Sequence, residues 1–173
     1  PPGTLICNED EIVEQQTVTG IAYAKDEAQI SLRRLRDRPG ISAAIFGPLA
    51  EGGINVDMIV QNISADDQYT DMTFTVPSGD VDKALAALEA NKDEIGYDTV
   101  QSETGLVKVS VIGIGMRSHA GVAATAFKAL ADKAINIRAI TTSEIKISIL
   151  IDGAYAELAV RTLHGVYGLD KAA

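Results

Sequence analysis

Tryptophan is absent from this 173-residue chain, cysteine occurs once, histidine twice, and aromatic residues make up only 5% of it. Each scarcity closes off a class of function. A single cysteine, Cys7, cannot build an internal disulfide framework, and it fits a reducing cytoplasm. His119 and His164 have no cysteine or second histidine at ligand spacing, so no metal site and no metal cofactor are expected. No apolar run approaches the ~18 residues that a membrane span needs. The opening Pro1-Pro2-Gly3-Thr4 lacks the basic and apolar regions of a signal peptide, and without a Met it reads as a processed chain or an excised fragment. Basic residues number 15 against 24 acidic ones, and the net charge of −9 argues against nucleic acid or an anionic membrane surface as a partner. The apolar share of 46% marks a globular chain, long enough for one or two small domains.

What the chain has is a repeat. Shifted by 81 positions, the twenty residues from Gly40 to Ile59 fall without a gap on Gly121 to Ile140, and eight positions are identical. They are Gly40/Gly121, Ala43/Ala124, Phe46/Phe127, Leu49/Leu130, Ala50/Ala131, Ile54/Ile135, Asn55/Asn136 and Ile59/Ile140. Two copies are too few for a solenoid, so the repeat reads as duplication of one compact module.

The flanks of each copy define that module. A β-rich run precedes it, Gln29 to Leu32 or Val107 to Ile112. The copy opens with apolar residues at helical spacing, Ile41, Ile45, Phe46 and Leu49 in the first. A β-branched run and an alternating run follow, Met72 to Val76 or Ile145 to Ile149, and a second helix closes the unit over Val81 to Ala90 or Ala154 to Leu163. Strand–helix–strand–strand–helix is the ferredoxin-like plan, so the expected class is α+β with two βαββαβ modules in tandem. The fourth strand of the first module is Gly96 to Gln101. The second module has none after Leu163, whereas Thr17 to Tyr23 at the front is unassigned. The economical reading is that this front strand completes the second sheet and the first module is inserted into the second. The alternative makes it an edge strand of the first sheet. The expected division is a tail or linker at 1–16, a strand of the second module at 17–24, the first module at 25–104 and the second at 105–173.

Candidate chemistry is sparse. No catalytic residue is identified: there is no triad, and Gly113-Ile114-Gly115 fails as a dinucleotide fingerprint because Ser118 stands where its third glycine belongs. The strands carry no paired aromatics of an RNA-binding sheet. What remains is the loop that leads into the repeated helix. Asp37-Arg38-Pro39-Gly40 presets a helix start, with Pro39 in the first turn and Asp37 as its cap. Free N–H groups at Gly40 to Ser42 suit a carboxylate, Asp37 suits an ammonium group, and Gln61 and Ser64 near the end of the next strand add hydrogen bonds. A plain capping role for Asp37 stays open beside the ligand role. So do two function classes, an amino-acid sensor and a small ferredoxin-like enzyme.

Asp37-Arg38-Pro39-Gly40 before a helix, then Gly53-Ile54-Asn55-Val56-Asp57-Met58, resembles an ACT domain, an amino-acid-sensing module. Ile54 to Ser64, Thr70 to Phe74 and Ile140 to Ser148 resemble the regulatory part of bacterial aspartate kinase, over nearly all of residues 17 to 165. That family's kinase motifs, among them its Lys-Phe-Gly-Gly opening, are absent, so the chain alone is not expected to transfer phosphoryl groups. The resemblance implies a cytoplasmic homodimer joined through ACT domains, an aspartate kinase catalytic domain as partner, and threonine, lysine or both as effectors. It implies effector contacts at Asp37, Gly40, Ile41, Ser42 and Gln61 of the first unit, with Asn136 and Ile137 from the second unit of a partner chain. Ser64, Thr73 and Ser143 match positions tied to a second effector or to feedback sensitivity. The second turn, Arg117 to Ala120, departs from the Asp-Arg-Pro pattern.

Overall fold

A computed structural model describes residues 17–63, 68–114 and 120–171. Alternation writes the strands: Ala28, Ile30 and Leu32 are fully buried, and the residues between them face the other way. They belong to β1 (Val18–Arg36), which is 19 residues long. α1 (Ile41–Glu51), β2 (Asp57–Ile63), β3 (Tyr69–Pro77), α2 (Val81–Ala90), the short α3 (Lys92–Ile95) and β4 (Thr99–Gly113) follow. The chain then forms α4 (Ala120–Ala131), β5 (Ala139–Thr142), β6 (Lys146–Asp152) and α5 (Ala156–Val166).

Sequence reading separates the front run from Gln29 to Leu32, and Gly96 to Gln101 from Val107 to Ile112. The structure joins each pair into one long strand. The joints are bends rather than ends: Asp26 has φ 62°, Gly105 has φ 74°, and the pairing shifts register around Glu27. Beyond the bends, Ile21 lies opposite Val111 and Ala22 opposite Ser110; on the near side, Ile30 lies opposite Ser102 and Leu32 opposite Val100. The antiparallel sheet has the order β2-β3-β1-β4-β6-β5. Since β1 and β4 serve both halves, each half contains four strand segments in ferredoxin-like order. The tandem α+β plan is therefore the observed one.

Helices cover one face of each half. α1, α2 and α3 close a core with Ile30, Leu32, Met72 and Phe74, where Phe46 meets Phe74 edge-on at 5.2 Å. α4 and α5 close another with Val109, Val111, Ile147 and Ile149. Each fully buried side chain of this size contributes roughly 1.5–3 kcal/mol of hydrophobic transfer free energy. The opposite, polar faces turn toward each other, with β2 against β5 and a small cluster of Met58, Leu106 and Leu150 between them. Ion pairs flank that cluster: Lys108 reaches both Asp57 and Glu27, and Arg138 reaches Glu103 at 2.7 Å.

Local details add one short helix and move the start of another. The connection from Asn91 to Gly96 contains α3, because Ile95, 1% exposed, anchors it in the core and Gly96 at φ 73° ends it. α1 begins at Ile41, with Gly40 at φ 90° as its cap residue and no side-chain capping bond, so Asp37 is not a cap and Pro39 precedes the first turn. The tail at 1–16, Ser64 and the turn at 115–119 lie outside the described residues.

Candidate functional site

The cleft to consider is formed by the turn between β1 and α1. Asp37 donates its backbone N–H to the Gln68 carbonyl at 3.0 Å, and Arg38 donates from its guanidinium to the Glu94 carbonyl at 2.7 Å. These two bonds tie the turn to β3 and α3 on either side. The chain then needs Gly40, whose φ of 90° strains any residue with a side chain. α1 opens with Ile41 donating to the Arg38 carbonyl and Ala44 to the Gly40 carbonyl, while the N–H groups of Ser42 and Ala43 have no backbone partner among the described residues. Such unpaired donors at a helix start, with the dipole behind them, make a positive, donor-rich end.

β2 supplies the other wall. Gln61 lies opposite Met72, whose side chain belongs to the helix-side core, so Gln61 projects toward the start of α1. Asp37, Arg38, Gly40, Ile41, Ser42 and Gln61 thus line one cleft of about 380 Å³. Asp37 and Gln61 are exposed, and neither side chain has a hydrogen-bond or ion-pair partner among the described residues. In the single chain Gln61 faces solvent, since β2 is an edge strand.

The remaining predicted residues lie elsewhere. Asn136 is exposed and Ile137 rests on the second core, and within one chain neither lines the cleft. Thr73 sits on the opposite face of the first sheet, its hydroxyl 3.0 Å from that of Ser31. Ser143 shapes the β5–β6 turn through its N–H to the Lys146 carbonyl at 2.8 Å and its own hydroxyl, which accepts from Lys146 N–H at 3.2 Å. A larger cleft of about 760 Å³, beside Tyr23, Lys25, Asp26, Gly105 and Arg161, holds none of the expected residues. Among the described residues no group of three or more metal-ligating side chains occurs, and no helix is long and apolar enough to cross a membrane. The sequence reading missed the polar residues between the two halves of the sheet, Gln29, Arg33, Lys108 and Arg138, because nothing in a linear pattern says which solvent-side face another module will cover.

A family model described as "ACT domain" matches residues 29–91 and 109–167. An aspartate kinase of Pseudomonas putida is 49% identical over 173 residues, which are 99% of this chain and 42% of that protein. The chain thus spans well under half the length of the curated relatives it matches. The ligand-free regulatory subunit of aspartate kinase from Thermus thermophilus superimposes with a TM-score of 0.81 at 42% identity, covering 87% of this chain and 99% of that one. E. coli aspartokinase III in complex with lysine and aspartate superimposes with a TM-score of 0.68 at 26% identity, covering 94% of this chain and 35% of that one.

Proposed function

We propose an effector-sensing role for this chain, which belongs to the ACT-domain family and is the regulatory region of an aspartate kinase. In this reading it binds threonine, lysine or both at interfaces between ACT modules and so imposes feedback inhibition on a cytoplasmic catalytic partner. The observation that carries the reading is the convergence at the α1 turn. A carboxylate at Asp37, a carboxamide at Gln61 and free N–H groups at Ser42 and Ala43 meet in one cleft. An α-amino acid has complementary groups, an ammonium for Asp37 and a carboxylate for the helix start. The presence of lysine in the E. coli relative's structure supports the ligand class.

The exposed edge at β2 supports a second element, a homodimer in which Asn136 and Ile137 of a partner chain close the cleft. Thr73, Ser143 and Ser64 keep their place as positions that tune a second effector or feedback sensitivity. For Thr73 the support is its bond to Ser31 on the face between the modules. We infer likewise that the module limits are 25–104 for the first and 17–24 with 105–173 for the second, so that the first interrupts the second.

Calorimetric titration of Gln61→Ala tests the site. Losing one hydrogen bond at a site that becomes buried costs about 1–3 kcal/mol, or about 5- to 150-fold in affinity. Threonine or lysine binding should weaken by that order while the ligand-free melting temperature stays nearly constant, since Gln61 bonds nothing in the free chain. Asp37→Asn should weaken binding further without loss of a cap. Unchanged affinity for both amino acids in Gln61→Ala would place the effector elsewhere.

A further inference from the structure

A second cleft, of about 580 Å³, lies between the polar faces of the two modules. Gln29, Ser31, Arg33 and Gln101 line it from the first module, and Glu103 and Arg138 meet across it. It is on the other side of the first sheet from the Asp37–Gln61 cleft, because Gln29, Ser31 and Arg33 alternate with the helix-side residues Ala28, Ile30 and Leu32.

Most of this face satisfies itself. Gln29 donates from Nε2 to the Ser31 hydroxyl at 3.2 Å, and Ser31 and Thr73 share a bond at 3.0 Å. Two buried oxygens are left over, Gln29 Oε1 and Thr75 Oγ1, and neither has a hydrogen-bond partner. They belong to residues directly opposite each other on β1 and β3, and Thr75 is only 1% exposed. Thr75 stands outside the cleft lining and its hydroxyl can also donate, whereas the Gln29 carboxamide oxygen only accepts and its residue lines the cleft, so a donor held in the cleft is the partner it lacks.

The charges describe that donor's carrier. Arg33 donates to Asp71 at 2.8 Å and Arg138 to Glu103 at 2.7 Å. Each bond uses a single terminal nitrogen, and a guanidinium has further N–H donors to offer. Two cations and two anions cancel locally, so the cleft has separated positive and negative groups and no net charge to favour a simple anion or cation. A small zwitterion matches that arrangement at both ends.

We propose that this cleft within a single chain is a second ligand site, for a free α-amino acid. Its carboxylate takes the spare donors of Arg33 and Arg138, and its ammonium donates to Gln29 Oε1 and to Glu103. Arg138 directly follows Asn136 and Ile137, so a ligand that holds Arg138 also fixes the loop carrying them. The proposal does not depend on the Asp37–Gln61 reading.

Amide-resolved NMR titration of the 173-residue chain with L-threonine, L-lysine and L-aspartate, each separately, tests it. At least one of the three should shift the Gln29 side-chain amide and the backbone amides of Gln101, Glu103 and Arg138, in the unaltered chain and in Gln61→Ala alike. Arg138→Gln, at an exposed position, and Gln29→Leu should each weaken that event by tenfold or more. If Gln29→Leu fails to fold, Arg138→Gln alone decides. No shift at these amides with any of the three, or shifts that vanish in Gln61→Ala and persist in Arg138→Gln, overturns the proposal.

Discussion

The two modules agree where each looks inward and oppose each other where they meet. At the end of the repeated helix both use the same device. Ile54 N–H reaches the Leu49 carbonyl at 2.9 Å and Gly53 N–H the Ala50 carbonyl at 2.9 Å; Ile135 reaches Leu130 at 3.0 Å and Ala134 reaches Ala131 at 2.9 Å. This is the Schellman closure, with its apolar pair buried in both copies. At the face between the modules the same shift of 81 positions relates Glu27 to Lys108 and Asp57 to Arg138, each with its charge reversed. Lys108 bonds both Asp57 and Glu27, and Arg138 bonds Glu103. Two identical faces packed together would set like charges against like. Reversing the sign in one copy turns repulsion into attraction, and it makes the two halves distinguishable.

The largest expected effect comes from removing what the halves share. Deleting residues 1–24 takes away the part of β1 opposite Lys108 to Gly113 and bares an edge of the second sheet. The chain should lose cooperative unfolding, and hydrogen exchange should show Val107, Val109, Val111 and Ile147 to Ile151 unprotected while Ile30, Met72 and Phe74 stay protected. If the second sheet keeps full protection, the modules divide at some other point than we propose.

The charge-reversed face comes next. Lys108 is 18% exposed and touches two carboxylates, of which Glu27 is 14% exposed. Lys108→Ala leaves Glu27 without its cation and should cost about 1–3 kcal/mol by urea denaturation. Because Lys108 contacts both carboxylates, the full reversal Glu27→Lys and Asp57→Lys with Lys108→Glu should recover part of that loss, and recovery of none would show that these charges do not couple the halves. The pH response has a sign. Burial alone would raise the Asp57 carboxyl, but the Lys108 bond, the Met58 N–H and the charges of Lys108 and Lys146 outweigh it and hold it below its ordinary 3.8. Its contribution is complete above about 3.8 and fades as pH falls through the lower folded value. For Lys108, burial pushes the ammonium down, but Asp57 and Glu27 outweigh that and raise it above 10.5, so its share fades only as pH climbs through the folded value. The Lys108→Ala chain should therefore show a flatter stability profile at both extremes.

How much of this the sequence revealed depends on the range of the interaction. The repeat, the helices over Val81 to Ala90 and around Ile41 to Leu49, and the gathering of Asp37, Gly40, Ile41, Ser42 and Gln61 rest on local periodicity and on a turn that Gly40 fixes. Long-range choices did not show. β1 and β4 read as four runs because a bend at Asp26 or Gly105 looks like a strand end until a neighbouring strand pairs on both sides of it. Nothing in the sequence marks Gln29, Ser31 and Arg33 as a face between modules, because only the packing of β2 against β5 covers them. Asp37 read as a cap because its spacing from the helix hung on where Pro39 fell, and with the cap three residues on, at Gly40, its carboxylate is released.

The smallest effect sharpens the comparison most, at the pair Gly53 and Ala134. Both occupy the left-handed region, at φ 68° and 55°, and close the same helix end. Glycine enters that region freely, whereas alanine pays about 1–2 kcal/mol there. A Cβ built on Gly53 meets nothing within 4 Å, so Gly53→Ala adds backbone strain and no clash. Replacing glycine also makes the unfolded chain less flexible, which returns about 0.4–1 kcal/mol. The net change should be a loss of about 0.5–1 kcal/mol for Gly53→Ala and a gain of similar size for Ala134→Gly. The sites lie in different modules and share no partner, so the double variant should add up to nearly the unaltered stability. Urea midpoints with unchanged slopes provide the measurement. Two losses, or a double variant far from the original, would mean that the shared hydrogen-bond pattern hides different surroundings and that the modules are less alike inside than their helix ends suggest.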